Sequence, residues 1–426
     1  MSKRYVSLYN FNSLTGKYLA AFEKNLTAES ENFRVQGGVL TDMYGVKQAQ
    51  KLPHVPKKLL GFTAETDGGV VYWTESGALY VFYPKTLTGQ TVSQSESTAP
   101  HAGFGVWKGQ AALGVAYSGG VTVFYGTSTE KLFDFPAKDV AYANGRWYAL
   151  TTGGSVRMTK PYQKTEEEAG EFYPAIPDRV RRILSVGDRI VAFSDRKIFL
   201  FSGTTPEDFS VTAVPVGERI CPESAATDGK RLYVLSYGHV VRYESGKIDR
   251  AEALPYPVVP GTEEQVTGAA KDGAYYFAYE SGKMGAREGF YDPDEGVFTG
   301  SGRNITSLCF AESDAGGEIY ASYGKKAVGI LTETATVEDV PLPKYWSSKE
   351  TDFGRASSEK RLVCISVCAG KPGTMRVIGK KCGAVLPLSE GENVKKLSMS
   401  GTRLRVEIRS LSPGATYVKP VLSFRE

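Results

Sequence analysis

Residues Val180–Gly203 read VRRILSVG, DRIVAFSD, RKIFLFSG, and after a short break Phe209–Val216 reads FSVTAVPV. Each run is rich in β-branched and aromatic residues and is cut from the next by Gly, Asp or Ser. That is the signature of short antiparallel strands joined by tight turns. Four such strands make one sheet with two apolar faces and two open edges, which is stable only when stacked on another.

The pattern recurs along the chain. GGVVYWTESGALYVFY starts at Gly68, GQAALGVAYSGGVTVFY at Gly109, GRWYALTTGGSVRM at Gly145 and GDRIVAFSDRKIFLF at Gly187. GKRLYVLSYGHVVRY follows from Gly229, GAYYFAYESGKMGAREGFY from Gly273 and GEIYASYGKKAVGIL from Gly317. The glycines are spaced by 41, 36, 42, 42, 44 and 44 residues. A period near 40 with about four strands per repeat predicts blades, not helical repeats. The expected fold is all-β: a seven-bladed β-propeller, with six or eight blades open if a terminal repeat is misread, followed by a small C-terminal β-sandwich. The repeats share pattern only; they carry neither a GH...WD pair, nor a regular kelch double glycine, nor a sialidase-type Asp box.

Expected boundaries are residues 1–50 for an N-terminal extended arm or hairpin, 51–343 for the propeller and 344–426 for the sandwich. In the first segment FRVQ, Gly37-Gly38 and VLTD read as a hairpin. This lead-in either adds a strand to the last blade and closes the ring or reaches a neighbouring subunit. Lys160–Arg179, with Glu166–Glu168 and flanking prolines, reads as an exposed loop. After Pro341 the register breaks, and Arg403–Arg409 alternates charged and apolar residues as a half-buried strand does.

The 426 residues exceed one ordinary core, and a ring of blades accommodates that length by repetition. Net charge is +4, with 51 Lys+Arg against 47 Asp+Glu interspersed. This balance argues against a dedicated nucleic-acid binder, and no sequence-specific nucleic-acid partner is expected. No apolar run reaches signal-peptide or membrane-spanning length, so a soluble product made in the cytosol, with no membrane partner, is expected. Five cysteines, Cys221, Cys309, Cys364, Cys368 and Cys382, are an odd count that points to free thiols; Cys364 and Cys368 share one face of a strand.

Little in the chain reads as chemistry. There is no nucleophile elbow, no HExxH, no phosphate-binding glycine loop and no metal-spaced histidine cluster. His54, His101 and His239 fall in different repeats without a shared motif. Asp292-Pro293-Asp294-Glu295-Gly296 resembles the start of a calcium loop but lacks its spacing, and a hairpin turn explains it. Paired carboxylates from distant strands leave no local trace. No catalytic residue, cofactor or metal is assigned.

Two stretches carry a resemblance. ENFRVQGGVLTDMYGVK (Glu31–Lys47), with its Asn, glycine pair and later Gly, resembles the opening of tailed-bacteriophage structural proteins. YWSSKETDFGRASSEKRLVCISV (Tyr345–Val367) is similar to the segment by which those proteins leave their propeller for a C-terminal β domain. The group includes packaged-DNA stabilisation or tail-accessory proteins at the head-to-tail junction. The resemblance implies a non-enzymatic virion part, made in host cytoplasm, repeated around a symmetry axis as a homo-oligomer and bound to other virion proteins. Tyr345 and Trp346, at the domain junction, are the candidate interface residues; interdomain packing is the plainer reading of the pair. A carbohydrate-binding or glycan-degrading propeller and a cellular peptide-binding scaffold are the competing classes.

Overall fold

In a computed structural model the runs that begin at Val180 pair in sequence order, as Arg182–Val186, Arg189–Phe193, Lys197–Ser202 and Ser210–Pro215. The structure describes residues 3–11, 13–16, 23–24, 27–63, 68–159, 179–203, 210–311, 317–351, 360–380 and 382–425. The loop expected from Lys160 lies, apart from Arg179, outside the described residues. Among the described residues the chain is all-β apart from two 3₁₀ turns, and it divides into two compact units.

The larger unit, residues 48–288 and 304–330, holds the seven innermost strands of the propeller. Its sheets start at the innermost strands Pro56–Phe62, His101–Trp107, Ala137–Ala143, Arg182–Val186, Ile220–Thr227, Thr267–Lys271 and Ile305–Ala311. Each innermost strand touches that of the next sheet, and Ile305–Ala311 returns to Pro56–Phe62. The circle therefore closes at seven blades. In the third blade three strands are described, the last being Val156–Met158.

Alternation within a strand explains why blades need neighbours. In Arg189–Phe193, Ile190 and Ala192 bury against Tyr148, Leu150 and Met158 of the third blade. The intervening Val191 and Phe193 bury against Leu232, Val234 and Val241 of the fifth. Both faces are apolar because both are covered, and each fully buried aliphatic or aromatic side chain contributes roughly 1.5–3 kcal/mol.

The seventh blade takes Ile305–Ala311, Glu318–Tyr323 and Ala327–Thr332 from late in the chain and its next strand, Gly45–Lys51, from the beginning. Just past that strand the Leu52 N–H donates to the Lys326 carbonyl at 2.8 Å. Of the two roles open to the lead-in, this part takes ring closure. A strand from a distant point in the chain fixes the last blade to the first because the ring then opens only by breaking a sheet ladder.

The second unit comprises residues 1–47, 289–303 and 331–426. It contains two antiparallel sheets. One runs Glu23–Lys24, Ser13–Gly16, Lys3–Asn10, Tyr417–Arg425, Lys360–Ala369, Gly391–Gly401, with the hairpin Phe33–Gln36 and Val39–Asp42 joined at Tyr417. The other runs Gly383–Leu388, Gly373–Gly379, Leu404–Ser410, Lys344–Ser348, Thr27–Glu31. The N-terminal segment is thus not a separate arm: Lys3 pairs with Arg425 and Glu31 with Tyr345. The sandwich expected from residue 344 onward begins earlier and is completed by strands from the other terminus, which cover edges that 83 residues alone would leave open.

Two local features build this unit. Gly37 and Gly38, at φ 56° and 78°, form the tight turn of the hairpin. Asn32, itself at φ 57°, donates through its amide to the carbonyls of Ser301 (3.2 Å) and Pro343 (2.9 Å) and accepts from Arg303 at 2.7 Å. Asp292–Gly296 is a hairpin turn, with Asp292 Oδ1 accepting the Asp294 N–H at 2.8 Å.

Candidate functional site in the central channel

Seven polar side chains, one from the innermost strand of each blade, form a belt around the channel of the propeller unit: Lys58, His101, Asp139, Arg182, Glu223, Thr267 and Ser307. They fall at the first, third or fourth position of their strands, at intervals of 43, 38, 43, 41, 44 and 40 residues.

Part of the belt stitches neighbouring blades. Asp139 Oδ2 accepts the Ile183 N–H at 2.8 Å, Thr267 Oγ1 that of Leu308 at 2.9 Å, and Ser307 Oγ that of Leu59 at 2.7 Å. The Arg182 guanidinium sits 3.3 Å from Asp139 and donates to the Glu223 carbonyl oxygen at 3.1 Å. Asp139 is wholly buried and Arg182 nearly so. These bonds satisfy groups that a dry ring interior would otherwise leave bare.

The other part spans the channel. Glu223 Oε2 accepts from Lys58 Nζ at 3.0 Å and lies 2.7 Å from His101 Nε2, bringing together the first, second and fifth blades. Burial by itself would raise the Glu223 carboxyl; His101, Lys58 and Arg182 outweigh it and hold the group well below the ordinary carboxylate range. Burial, with Arg182 nearby, pulls the Lys58 ammonium below its ordinary range against the attraction of Glu223. The His101 ring meets an acceptor on each side, since Nδ1 is 3.0 Å from the Lys138 carbonyl oxygen.

Lys58, His101, Arg182, Glu223 and Thr267 line one end of a cavity of about 270 Å³ whose other walls include Leu60, Phe104, Leu184 and Phe310. A second cavity, of about 630 Å³, has Lys57, Lys58, Trp73, Glu75, Glu263 and Glu280 in its lining. Near it the Lys57 ammonium lies 4.0 Å over the Trp73 ring, Arg219 pairs with Glu263 at 3.3 Å, and Tyr237 donates to Glu263. Cys221 is buried, and burial with the Glu263 charge pushes its thiol up to about 12, so it is a packed thiol and not a nucleophile. No group of three or more potential metal ligands occurs among the described residues.

Neither sequence-derived interface candidate belongs to this site. Trp346 is fully buried in the second unit, edge-on to Phe11 at 4.9 Å, with its Nε1 donating to Thr27 Oγ1 at 3.0 Å. A side chain with no exposed surface has none to offer a partner, so Trp346 is a core residue. Tyr345 is half-buried, with the Arg409 guanidinium 5.0 Å over its ring. Of the histidines, His101 is in the belt, His239 pairs with Glu218 at 3.1 Å and His54 meets the Tyr80 ring edge-on at 4.7 Å. Sequence reasoning missed the belt because its members share neither a residue type nor a fixed place in the repeat. The available signal was a polar residue on each repeat's first strand.

No family model matches the chain, and no curated protein matches it. Among solved structures, the chain is similar to one described as BBS1N in complex with ARL6DN, at TM-score 0.44 and 14% identity over 68% of this chain and 96% of that one. It is also similar to a chain of the mitotic checkpoint complex, at TM-score 0.44 and 9% identity over 67% and 94%. A third is the computationally designed Ika8 protein, at TM-score 0.42 and 13% identity over 67% and 98%. The seven-bladed fold stands on the strand order and ring of contacts above, independently of these likenesses.

Proposed function

We propose that this chain is a non-enzymatic structural protein of a tailed-phage particle, at the head-to-tail junction or in the tail. It acts as a rigid protein-interaction scaffold, repeated around a symmetry axis among other virion proteins and made in the host cytoplasm. One observation carries the reading: the two segments that resemble such proteins, some 300 residues apart, are adjacent strands, with Ser30 opposite Trp346 and Glu31 opposite Tyr345. The residues that make the first segment distinctive, Asn32, Gly37-Gly38 and Gly45, are those the second unit is built around. Exposed Val385 and Val394, on the outermost strands of its two sheets, offer apolar surface to neighbours.

The test is to purify particles from the producing culture on a density gradient and probe fractions with an antibody to the chain. Co-sedimentation with intact particles at a fixed ratio to the major capsid protein is expected. Recovery only from the soluble fraction overturns the proposal.

A further inference from the structure

We infer that the central channel of the propeller unit is a binding site for a small monoanion with an apolar body, an aryl- or branched-alkyl carboxylate, held head-first against Lys58. Of the lysine and arginine in the cavity lining, Arg182 is committed to Asp139 and to the Glu223 carbonyl oxygen, which leaves Lys58 as the cation with N–H groups to spare. Among the described residues Lys58 Nζ makes one hydrogen bond, to Glu223, and its side chain is 21% exposed at the cavity's polar end. An ammonium has three N–H groups, so two remain for a ligand oxygen.

The opposite end of the same cavity is apolar. Phe104 is 44% exposed although it lies on an innermost strand, and Leu184 and Phe310 are half-buried there. Uncovered aromatic and aliphatic surface inside a concave site, with a few convergent polar groups at one end, is the arrangement of small-molecule pockets. A volume of about 270 Å³ accommodates a body of about ten heavy atoms. The same head and body occur in the C-terminal residue of a peptide ending in Phe or Leu, and the experiment separates the two sources.

Isothermal titration of the full chain at neutral pH uses 3-phenylpropionate, the neutral isostere 3-phenylpropanol, acetate, and acetyl-Gly-Gly-Phe with a free C-terminus. Saturable one-to-one binding of 3-phenylpropionate is expected, with the alcohol and acetate each at least about tenfold weaker. Binding of the peptide as tight as that of the free acid assigns the site to chain termini; weaker peptide binding assigns it to small molecules. Lys58→Met should weaken 3-phenylpropionate about tenfold or more, and Leu184→Trp, which fills the apolar end, should abolish binding while the melting transition is retained. Absence of saturable binding to the folded wild type, an alcohol or acetate that binds equally well, or unchanged affinity in folded Leu184→Trp overturns the inference. Particle association is read by a different assay, so failure here leaves the scaffold proposal standing.

Discussion

The Lys344 ammonium lies 3.2 Å from Asp42 Oδ1, and both side chains are sealed from solvent. Asp42 Oδ2 also accepts the N–H groups of Ala335 (2.9 Å) and Gly414 (2.8 Å), while Lys344 donates to the Ser412 carbonyl oxygen at 2.5 Å. One ion pair thus ties the N-terminal hairpin to three segments from the other end of the chain. Asp42→Asn leaves the ammonium buried without its counter-charge and should cost about 3–5 kcal/mol in urea unfolding. Adding Lys344→Met should recover much of that loss, because the buried charge goes with it.

Acid should loosen the belt. The Glu223 carboxyl is held well below 4.5 in the folded chain. Between that lowered value and 4.5 the unfolded chain binds the proton and the folded chain does not, so stability rises with pH across this window. The Glu223 contribution is complete above 4.5 and is lost as pH falls through the folded value. Urea midpoints measured from about pH 6 down to about pH 3 should fall more gently in Glu223→Gln than in wild type.

Two glycines of the N-terminal segment should respond differently to alanine. At Gly45 a Cβ would collide with the carbonyl oxygens of Thr334 and Thr336, backbone that has nowhere to retreat. Gly45→Ala should cost about 3 kcal/mol or more. At Gly37 a Cβ meets nothing within 4 Å, and the objection is only φ 56°. Gly37→Ala should cost about 1 kcal/mol. Thermal melts of the two variants under one buffer check the contrast.

Trp346→Ala removes an interior ring packed on Phe11 and the bond to Thr27, and should cost about 3–5 kcal/mol. Tyr345→Ala, losing a half-buried ring and the Arg409 contact, should cost about 1 kcal/mol. Denaturant titration distinguishes a core role from a surface one.

The strands and their grouping were legible because both are local: Ile190, Val191, Ala192 and Phe193 announce a strand buried on both sides, and Gly187 and Gly229 mark the period. The pairing of Gly45–Lys51 with the last blade, and of Lys3–Asn10 with Tyr417–Arg425, was not, since a ladder between residues hundreds apart leaves no periodic trace in either partner. The belt was hidden for another reason. Lys58, Asp139 and Ser307 do comparable work with three chemistries, so no motif scan unites them until the strands are superposed in space. Trp346 stands in the sequence as an interface candidate with packing as its plainer reading, because an aromatic pair at a proline-flanked junction looks the same whether it faces outward or inward.

The ladder between Lys3–Asn10 and Tyr417–Arg425 has a consequence for biosynthesis. At ribosomal speeds of about 5–20 residues per second, the first of these strands waits roughly 20–80 s for its mate to be translated. Throughout that interval nascent chains on one polysome expose identical, unzipped edges side by side. Slow codons or a bound chaperone that shield Lys3–Asn10 would raise the yield of natively folded chain.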